Sequence, residues 1–277
     1  MSAPSAASPV ASADRARPAA LAGGPVRRLL AGAYAMSLNE WRKLRHDQLD
    51  LVTRSVQPLL WLFVFGTAIS STNAIPTGGV QYQAYLTPGV MAQAAMFVAI
   101  FFGLAVIWER DVGQLQRLLA TPLPRMALVL GKACGAATRA LVQAIVLLTI
   151  VAIAGIDIRW SVVGVLGALV LLAIGTGVFA CLSMTIASLV KERERFIGIG
   201  QLILMPLFFA SSALYPLSIM PGWLHVVARV NPLTYEVEGL RGFLLGGGRP
   251  WLDLLVTVGW FVVLMAAATR AYPKAIL

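Results

Sequence analysis

Charged and polar side chains are concentrated at residues 108–125 (WERDVGQLQRLLATPLPR), between two long apolar runs. It opens on the charged pair Glu109 and Arg110. Leucines follow at Leu115, Leu118 and Leu119. This i, i+3, i+4 spacing puts them on one face of a short helix, and Thr121-Pro122 ends it because the residue before a proline disfavours the helical region. The pattern fits either a connector lying on a lipid surface or a docking element for a partner protein.

Residue types that build catalytic or metal sites are sparse and scattered. The two cysteines, Cys134 and Cys181, have no disulfide or metal-ligand spacing, and they predict small buried apolar groups. The two histidines, His46 and His225, lie in separate regions. The apolar runs hold isolated serine, threonine and glutamine residues but no carboxylate–histidine set. We therefore expect no metal site and no catalytic centre in this chain.

A nucleotide site is also not predicted. A phosphate-binding loop reads G-x-x-x-x-G-K-[ST], and its backbone amides cradle the phosphates. The one Gly-Lys pair is Gly131-Lys132, but Ala133 follows it and Met126 stands where the first glycine belongs. The sequence therefore predicts that the chain binds no ATP and is not itself an enzyme.

Composition indicates the elements that carry these residues. Hydrophobic residues make up 58% of the 277 positions and charged residues 12%, whereas a soluble domain carries about 25% charged residues. The mean hydropathy is +0.80. The net charge of +10 comes from basic residues placed between apolar runs, as in membrane topology signals, and not on one polar face as in nucleic-acid-binding proteins. We predict an all-α integral membrane protein that binds no nucleic acid.

Six apolar runs approach or exceed the roughly 20 residues that cross a bilayer. They lie near residues 55–72, 85–108, 133–156, 160–190, 196–215 and 251–269. Residues 1–25 are rich in alanine, proline and serine and predict a disordered tail. Residues 26–50 predict a basic amphipathic helix lying at the membrane surface, with an ordinary polar helix as the alternative. Residues 26–277 are expected to form one transmembrane domain.

Arg139 limits where the third span begins. If the span began at residue 126, Arg139 would lie about 20 Å deep, at a rise of 1.5 Å per residue. A charge at that depth is costly unless it is paired or solvated. We expect the helix to extend out of the membrane and to carry Lys132 and Arg139 near the headgroups. The alternative is a functional arginine inside the membrane.

The distribution of basic residues predicts the orientation. Eighteen of them lie on the side that holds the N-terminal region, residues 108–125 and the C-terminal tail, and four lie on the other side. Basic residues accumulate on the cytoplasmic side of membrane proteins. Both termini and residues 108–125 are therefore expected in the cytoplasm.

Residues 216–247 are too apolar for a solvated loop, yet prolines and glycines interrupt them. Short helices that re-enter the outer leaflet fit this pattern if protein buries their free backbone groups. A capped pair of external helices fits equally well. In the first arrangement Glu236, Glu238 and Arg241 would pair with one another and close a pathway.

Aromatic and methionine side chains in the spans are candidates for an apolar substrate path, although such residues more often serve ordinary packing. The candidates are Trp61, Phe63, Phe97, Met205, Phe208 and Phe209. A membrane-embedded enzyme would need convergent polar residues, and a secondary transporter would need internal repeats or charges at the midplane. The sequence has neither feature, which argues against both of these classes.

Three stretches resemble known sequences. Residues 108–125 resemble the cytoplasmic coupling region of type-2 ATP-binding-cassette (ABC) exporter permeases, where an acidic-basic start leads to L-x-x-L-L-x-T-P-x-x-R. The matching positions are Glu109, Arg110, Leu115, Leu118, Leu119, Thr121, Pro122 and Arg125. Residues 215–247 are similar to the signature before the last span of daunorubicin-exporter-type permeases, and residues 85–93 (YLTPGVMAQ) to the start of their second span. Residues 112–114 (VGQ) depart from the Gly-Thr-Leu-Glu run of many relatives.

The specific part of the second match is Asn231-Pro232-Leu233-Thr234-Tyr235 followed by Arg241. With Glu236 and Glu238, these residues are the candidate outer gate. The resemblance implies a subunit of the inner (cytoplasmic) membrane that works as a homodimer or heterodimer. It also implies a partner ABC ATPase that holds ATP and Mg, and it favours the docking interpretation of residues 108–125. The substrate would be an amphipathic drug or lipid, with a glycan or glycolipid as the alternative.

Overall fold

The computed structural model describes Ala31, Tyr34 and residues 55–72, 75–113, 124–190 and 192–272. All regular structure within those residues is helical, as predicted, and they contain no strand. The predicted tail at 1–25 lies outside the described residues. So does the predicted surface helix at 26–50, apart from the helical positions Ala31 and Tyr34.

The described residues form eight α-helices, numbered here in chain order. They are α1 (Ser55–Ser71), α2 (Tyr82–Asp111), α3 (Arg125–Ile153), α4 (Val162–Leu189), α5 (Arg193–Phe209), α6 (Gly222–Val230), α7 (Pro232–Leu245) and α8 (Pro250–Ala271). A π-helical turn, Trp61–Phe65, widens α1, and a short 3₁₀ turn, Leu217–Ile219, follows α5.

Four helices among the described residues, α2, α3, α4 and α8, are long and apolar enough to cross a membrane. They correspond to the second, third, fourth and sixth predicted spans, so the chain is a multi-pass membrane protein. Helices also form at the first and fifth predicted spans, but α1 (Ser55–Ser71) and α5 have 17 residues each and are shorter than the other four. The count of six spans stays a prediction.

Helices α2 and α4 form the centre of the bundle. The most apolar window of α2 is 72% buried, whereas that of α8 is 17% buried. Helix α4 packs against α2, α3, α7 and α8. Helix α8 lies at the edge and exposes large apolar side chains such as Trp251, Leu255 and Val262. An apolar face left outside the protein is the face that lipid covers in a membrane-spanning bundle.

Gly103 lets the two central helices touch. A Cβ at this position would lie 2.1 Å from Ser183 Oγ of α4, so no other residue fits without a shift. The Gly103 N–H donates to Ser183 Oγ over 3.1 Å, and that hydroxyl donates to the Ile100 carbonyl over 2.8 Å. The hydroxyl thus joins α4 to two backbone groups of α2.

Helix α3 begins at Arg125, directly after Pro124, and runs without interruption to Ile153. The predicted span began at residue 133, so the helix extends two turns beyond the expected apolar run. This extension carries Lys132, and Arg139 follows two turns later. The Arg139 guanidinium lies over the ring of Phe102, 5.5 Å from its centroid.

Candidate functional site

The end of the bundle where α2 finishes and α3 begins is called here the charged end, and it is defined by Glu109, Asp111, Lys132 and Arg193. Lys132 Nζ lies 2.6 Å from Glu109 Oε1, and the two side chains are 2% and 12% exposed. A desolvated ion pair with good geometry resists separation, because removing one partner leaves the other charge buried alone. The pair therefore fastens the end of α2 to the start of α3.

A second pair links the charged end to the turn between α4 and α5. Arg193 Nη2 lies 2.9 Å from Asp111 Oδ2, and the Arg193 guanidinium stacks 4.1 Å from the ring centroid of Trp108. Arg110 Nη1 donates to the Val190 carbonyl over 3.4 Å. The Arg193 and Asp111 side chains are 41% and 37% exposed, so water screens this pair far more than the Glu109–Lys132 pair.

The last helix also ends at the charged end. Tyr272, just after α8, is fully buried. Burial raises the pKa of the Tyr272 phenol, and the Glu109 carboxylate raises it further. Glu109 thus lies close to the ends of three helices, α2, α3 and α8.

The predicted coupling residues divide between described and undescribed positions. Glu109 and Arg110 are half-buried at the end of α2, and Arg125 is exposed as the first residue of α3. The remaining predicted positions, Leu115, Leu118, Leu119, Thr121 and Pro122, lie outside the described residues. The segment 114–123 is therefore bracketed by the two helices that the Glu109–Lys132 pair holds together.

An open groove runs between α2 and α5. Its main pocket has a volume of about 220 Å³ and contains two of the predicted path residues, Phe97 and Met205. The other lining residues are Ile100, Phe101, Leu104, Phe196, Ile197, Gln201 and Leu204. This lining includes no charged side chain, so the groove suits an apolar or uncharged surface.

A second pocket of about 170 Å³ shares Phe97 and Phe101 with the groove. Three glutamines from different helices line it: Gln57, Gln93 and Gln143. Gln93 and Gln143 are buried. The amides add hydrogen-bonding groups to one end of an otherwise apolar surface.

The other predicted path residues lie apart from this groove. Phe208 is buried, with its ring centroid 6.4 Å from that of Trp61 and 5.4 Å from that of Phe209. Phe209 is exposed and lines a separate pocket that also contains Trp223. Phe63 is half-buried in the π-helical turn of α1. The structure therefore brings together two of the six predicted path residues in one pocket.

At the opposite end of the bundle, Asn231 directly follows α6 and contacts the end of α5 and the start of α7. Its Nδ2 donates to the Leu207 carbonyl over 2.6 Å and to the Ala210 carbonyl over 3.3 Å, at the end of α5. Its Oδ1 accepts from the Leu233 N–H over 3.0 Å, which caps the start of α7. Pro232 occupies the first turn of α7, where a missing N–H does no harm.

Arg241 of α7 is the centre of a cluster that also contains Glu238, Ser212 and Tyr85. Its Nη1 donates to Glu238 Oε1 over 2.8 Å, and its Nη2 donates to the Ser212 carbonyl over 2.9 Å. The guanidinium stacks over Tyr85 of α2, 3.7 Å from the ring centroid. Tyr235, another predicted gate residue, donates to the Arg229 carbonyl over 2.6 Å. The predicted pairing of Glu238 with Arg241 is therefore present.

Glu236 does not join that pairing. It is fully buried, and neither carboxyl oxygen has a hydrogen-bond partner among the described residues. The sequence pattern suggested a triad because Glu236, Glu238 and Arg241 are near in sequence. Residues two apart on a helix point about 200° apart, however, so Glu236 and Glu238 face different neighbours.

Sequence reasoning missed several residues that the geometry brings forward. The sequence predicts only that Lys132 lies near the headgroups, although a lysine in an apolar helix requires a counter-charge. Arg193, Tyr85 and Ser212 were not singled out, because their partners lie far away in the chain. Only the isolated polarity of Lys132 gave a signal in the sequence.

Comparison with known proteins gives the family context. Residues 33–245 match the family described as ABC-2 type transporter. Nodulation protein J of Rhizobium leguminosarum bv. trifolii is 30% identical over 212 residues, which cover 76% of this chain and 79% of that protein. The putative transport permease ycf38 of Cyanophora paradoxa is 30% identical over 203 residues, which cover 72% of this chain and 69% of that protein. The daunorubicin resistance ABC transporter permease protein DrrB1 of Streptomyces coeruleorubidus is 26% identical over 242 residues, with coverage of 84% and 83%.

Proposed function

Because the chain belongs to the ABC-2 type transporter family, we propose that it is the transmembrane permease subunit of an ATP-driven exporter for amphipathic drug-like or lipidic molecules. It works as a homodimer or heterodimer in the inner membrane, with both termini in the cytoplasm. A partner ABC ATPase binds ATP and Mg. This chain binds that ATPase and moves the substrate from the cytoplasm or the inner leaflet.

The observation that carries the proposal is the buried Glu109–Lys132 pair at 2.6 Å. It holds together the two helices that bracket residues 114–123, so a force applied to that segment reaches both helices at once. Such a clamp is useful where a small segment must move long helices as a unit. Separating the two helices here would leave two charges desolvated and unpaired, so the pair resists their separation.

The second ion pair, Asp111–Arg193, connects the charged end to α5. Asp111 binds Arg193 at the start of α5, and α5 carries Met205 on the wall of the groove. A displacement of the charged end is thereby passed to α5 and can change the width of the groove between α2 and α5. Packed helices transmit such displacements because protein interiors have low compressibility.

The groove supports the substrate class. Phe97, Phe101 and Met205 offer apolar and aromatic contact surface without a charged group, and a relative is named for daunorubicin resistance. A glycan or glycolipid is the second candidate, because the amides of Gln57, Gln93 and Gln143 beside the groove can bond hydroxyl groups.

Co-purification tests the ATPase partnership. Burying a leucine contributes about 1.5–3 kcal/mol, so Leu118→Asp should weaken assembly with the ATPase about tenfold or more. Gln114→Ala is the control in the same segment and should assemble normally. If Leu118→Asp assembles and transports like the parent, residues 108–125 are only a surface connector.

Drug-stimulated ATP hydrolysis by the reconstituted complex tests the substrate path. Phe97→Ala should reduce stimulation by amphipathic drugs while basal hydrolysis persists. Phe65→Ala is the matched control, since Phe65 is an exposed aromatic residue that contacts Trp61 outside the groove. Stimulation by glycolipids alone, lost on Gln93→Ala, would favour the second candidate. Equal stimulation in Phe97→Ala and the parent contradicts a drug path along this groove.

A further inference from the structure

Glu236 is a buried carboxyl group without a counter-charge. It is 0% exposed, and neither of its oxygens has a hydrogen-bond partner within the part of the chain that the structure describes. Glu238, two residues later on the same helix, pairs with Arg241 at 2.8 Å and is 35% exposed. The same short helix thus holds one acid that is paired and one that is isolated.

The packing around Glu236 leaves no room for water. A Cβ built on Gly175 of α4 would lie 2.2 Å from Glu236 Cδ and 2.3 Å from its Oε2. The backbone of α4 therefore lies directly against the carboxyl group. Gly175 is thirteen residues after Val162, where α4 begins, which places this contact about 20 Å along the helix. That is close to the middle of a candidate membrane span.

Three helices pack against α7, and their titratable groups are few. Helix α4 offers only Cys181, α8 has Asp253 and Arg270 near its two ends, and α2 brings Tyr82 and Tyr85 near its start. The charged residues at the far end of α2 are Glu109, Arg110 and Asp111. Glu236 has no salt bridge and no hydrogen bond among the described residues, so burial is the main influence on whether its carboxyl group ionises.

The titratable groups of α7 itself are also engaged elsewhere. Tyr235 bonds the Arg229 carbonyl. Arg241, the one cation of α7, is bound to Glu238, to the Ser212 carbonyl and to the face of Tyr85. An ionised carboxylate in such surroundings would be strongly disfavoured, because nothing replaces the hydration that burial removes.

We propose that Glu236 is a proton-binding site: it is a neutral carboxylic acid while α7 is packed on α4, and it releases its proton to water when the two helices separate. In that step the O–H bond of the acid breaks, the proton passes to water, and a hydrated carboxylate is left on α7. Nothing is oxidised or reduced. The contact between α7 and α4 is therefore a switch that depends on pH.

The direction of the pH dependence follows from linkage. An exposed glutamic acid has a pKa of about 4.3, and burial raises the pKa of Glu236 above that. At any pH between these two pKa values, the packed form holds one more proton than the separated form. Raising the pH in that window favours separation by up to about tenfold per pH unit. A consequence for transport rests on the proposed function: if α7 forms the outer gate of the exporter, its separation from α4 accompanies release, and an alkaline exterior would favour release. The proton site itself does not depend on that function.

Infrared spectroscopy of the purified full chain in lipid nanodiscs tests the proposal. The carbonyl stretch of a protonated carboxylic acid should be present at neutral pH and should shift when the chain carries isotope-labelled glutamate. Glu236→Gln should remove this band, and Glu238→Gln should retain it. A spectrum of the parent without a labelled acid band at neutral pH would overturn the proposal, and so would a band that persists in Glu236→Gln.

Thermal unfolding across neutral to alkaline pH is the second measurement. The parent and Glu238→Gln should lose stability as the pH rises, whereas Glu236→Gln, which imitates the neutral acid, should lose much less. If all three proteins show the same pH dependence, Glu236 is not the group that titrates. Neither measurement needs the ATPase or a substrate, so a failed transport assay would reject the proposed function and leave this result standing.

Discussion

Two regions of the molecule treat a buried carboxyl group in opposite ways. At the charged end, Glu109 lies 2.6 Å from the Lys132 ammonium. Near the middle of α4, Glu236 of α7 lies against the backbone of α4 with no partner among the described residues. The first arrangement keeps a charge and fixes two helices to each other. The second removes the charge and leaves a contact that hydration can undo.

The comparison indicates which helix contact resists separation and which one can open. A paired buried charge makes separation costly, because each ion would be left desolvated alone. A neutral acid gains hydration when its contact opens. The difference assigns rigidity to the charged end, where the proposed ATPase would bind, and mobility to the contact between α7 and α4.

The largest expected effect comes from breaking the charged end. Lys132→Met leaves Glu109 without its counter-charge, and removing one partner of a buried pair destabilises by about 3–5 kcal/mol. The double variant Lys132→Met/Glu109→Gln should recover most of that loss, because neither side chain is then charged. Thermal unfolding of the purified chain measures both. A single variant as stable as the parent would show that the pair does not hold the helices.

Adding one methyl group at Gly175 tests the contact between α4 and α7. Gly175→Ala places a Cβ within 2.2 Å of Glu236 Cδ, and overpacking of this kind costs about 1–3 kcal/mol. The same change in a Glu236→Ala background should be tolerated, since the opposing side chain is then short. Additive losses in the double variant would mean that α7 and α4 do not meet at this point.

Asn231→Ala should have an intermediate effect. The loss of a helix N-cap costs about 0.5–2 kcal/mol, and the Leu207 and Ala210 carbonyls also lose their side-chain donor. Asn231→Asp keeps the acceptor for the Leu233 N–H but places a carboxylate oxygen against the Leu207 and Ala210 carbonyls. We expect it to lose more stability at neutral pH than Asn231→Ala in thermal unfolding, because acceptors then face each other with no hydrogen between them. A smaller loss than that of Asn231→Ala would assign most of the effect to the cap of α7.

The smallest effect on stability is expected at the exposed pair of the charged end. Asp111→Ala removes the bond to Arg193, and exposed ion pairs contribute about 0.2–1 kcal/mol. Transport per ATP hydrolysed should nevertheless fall, because the connection between the charged end and α5 is lost. Glu192→Ala is the control, since it removes a more exposed pair with Arg195. Identical coupling ratios in the two variants would contradict a role for Asp111 in transmission.

Sequence reasoning succeeded where hydropathy decides the outcome. The predicted spans at 85–108, 160–190 and 251–269 lie within three residues of α2, α4 and α8 at both ends. Long apolar runs determine such helices because the backbone must satisfy its own hydrogen bonds in lipid. The predicted span at 196–215 reaches beyond α5, which ends at Phe209. Asn231 accounts for that end, since it bonds the Leu207 and Ala210 carbonyls from 24 and 21 residues away.

Pairings across the bundle were beyond the reach of sequence patterns. Glu109 and Lys132 are 23 residues apart, and Arg241 and Tyr85 are 156 residues apart. Local spacing gives no information on such partners, whereas it correctly suggested Glu238 and Arg241, which are one helical turn apart. The isolation of Glu236 was missed for the same reason, because it depends on the backbone of α4 and not on α7.

The bonds of Asn231 also have a consequence for the order in which the protein is made. The Leu207 carbonyl is synthesised 24 residues before the amide that binds it. Until that amide has been synthesised, the C-terminal end of α5 lacks the side-chain donor that its Leu207 and Ala210 carbonyls have in the folded protein. The final contacts of α5 are therefore completed by a residue of the next segment. Biogenesis would then treat α5, α6 and the start of α7 as a single unit.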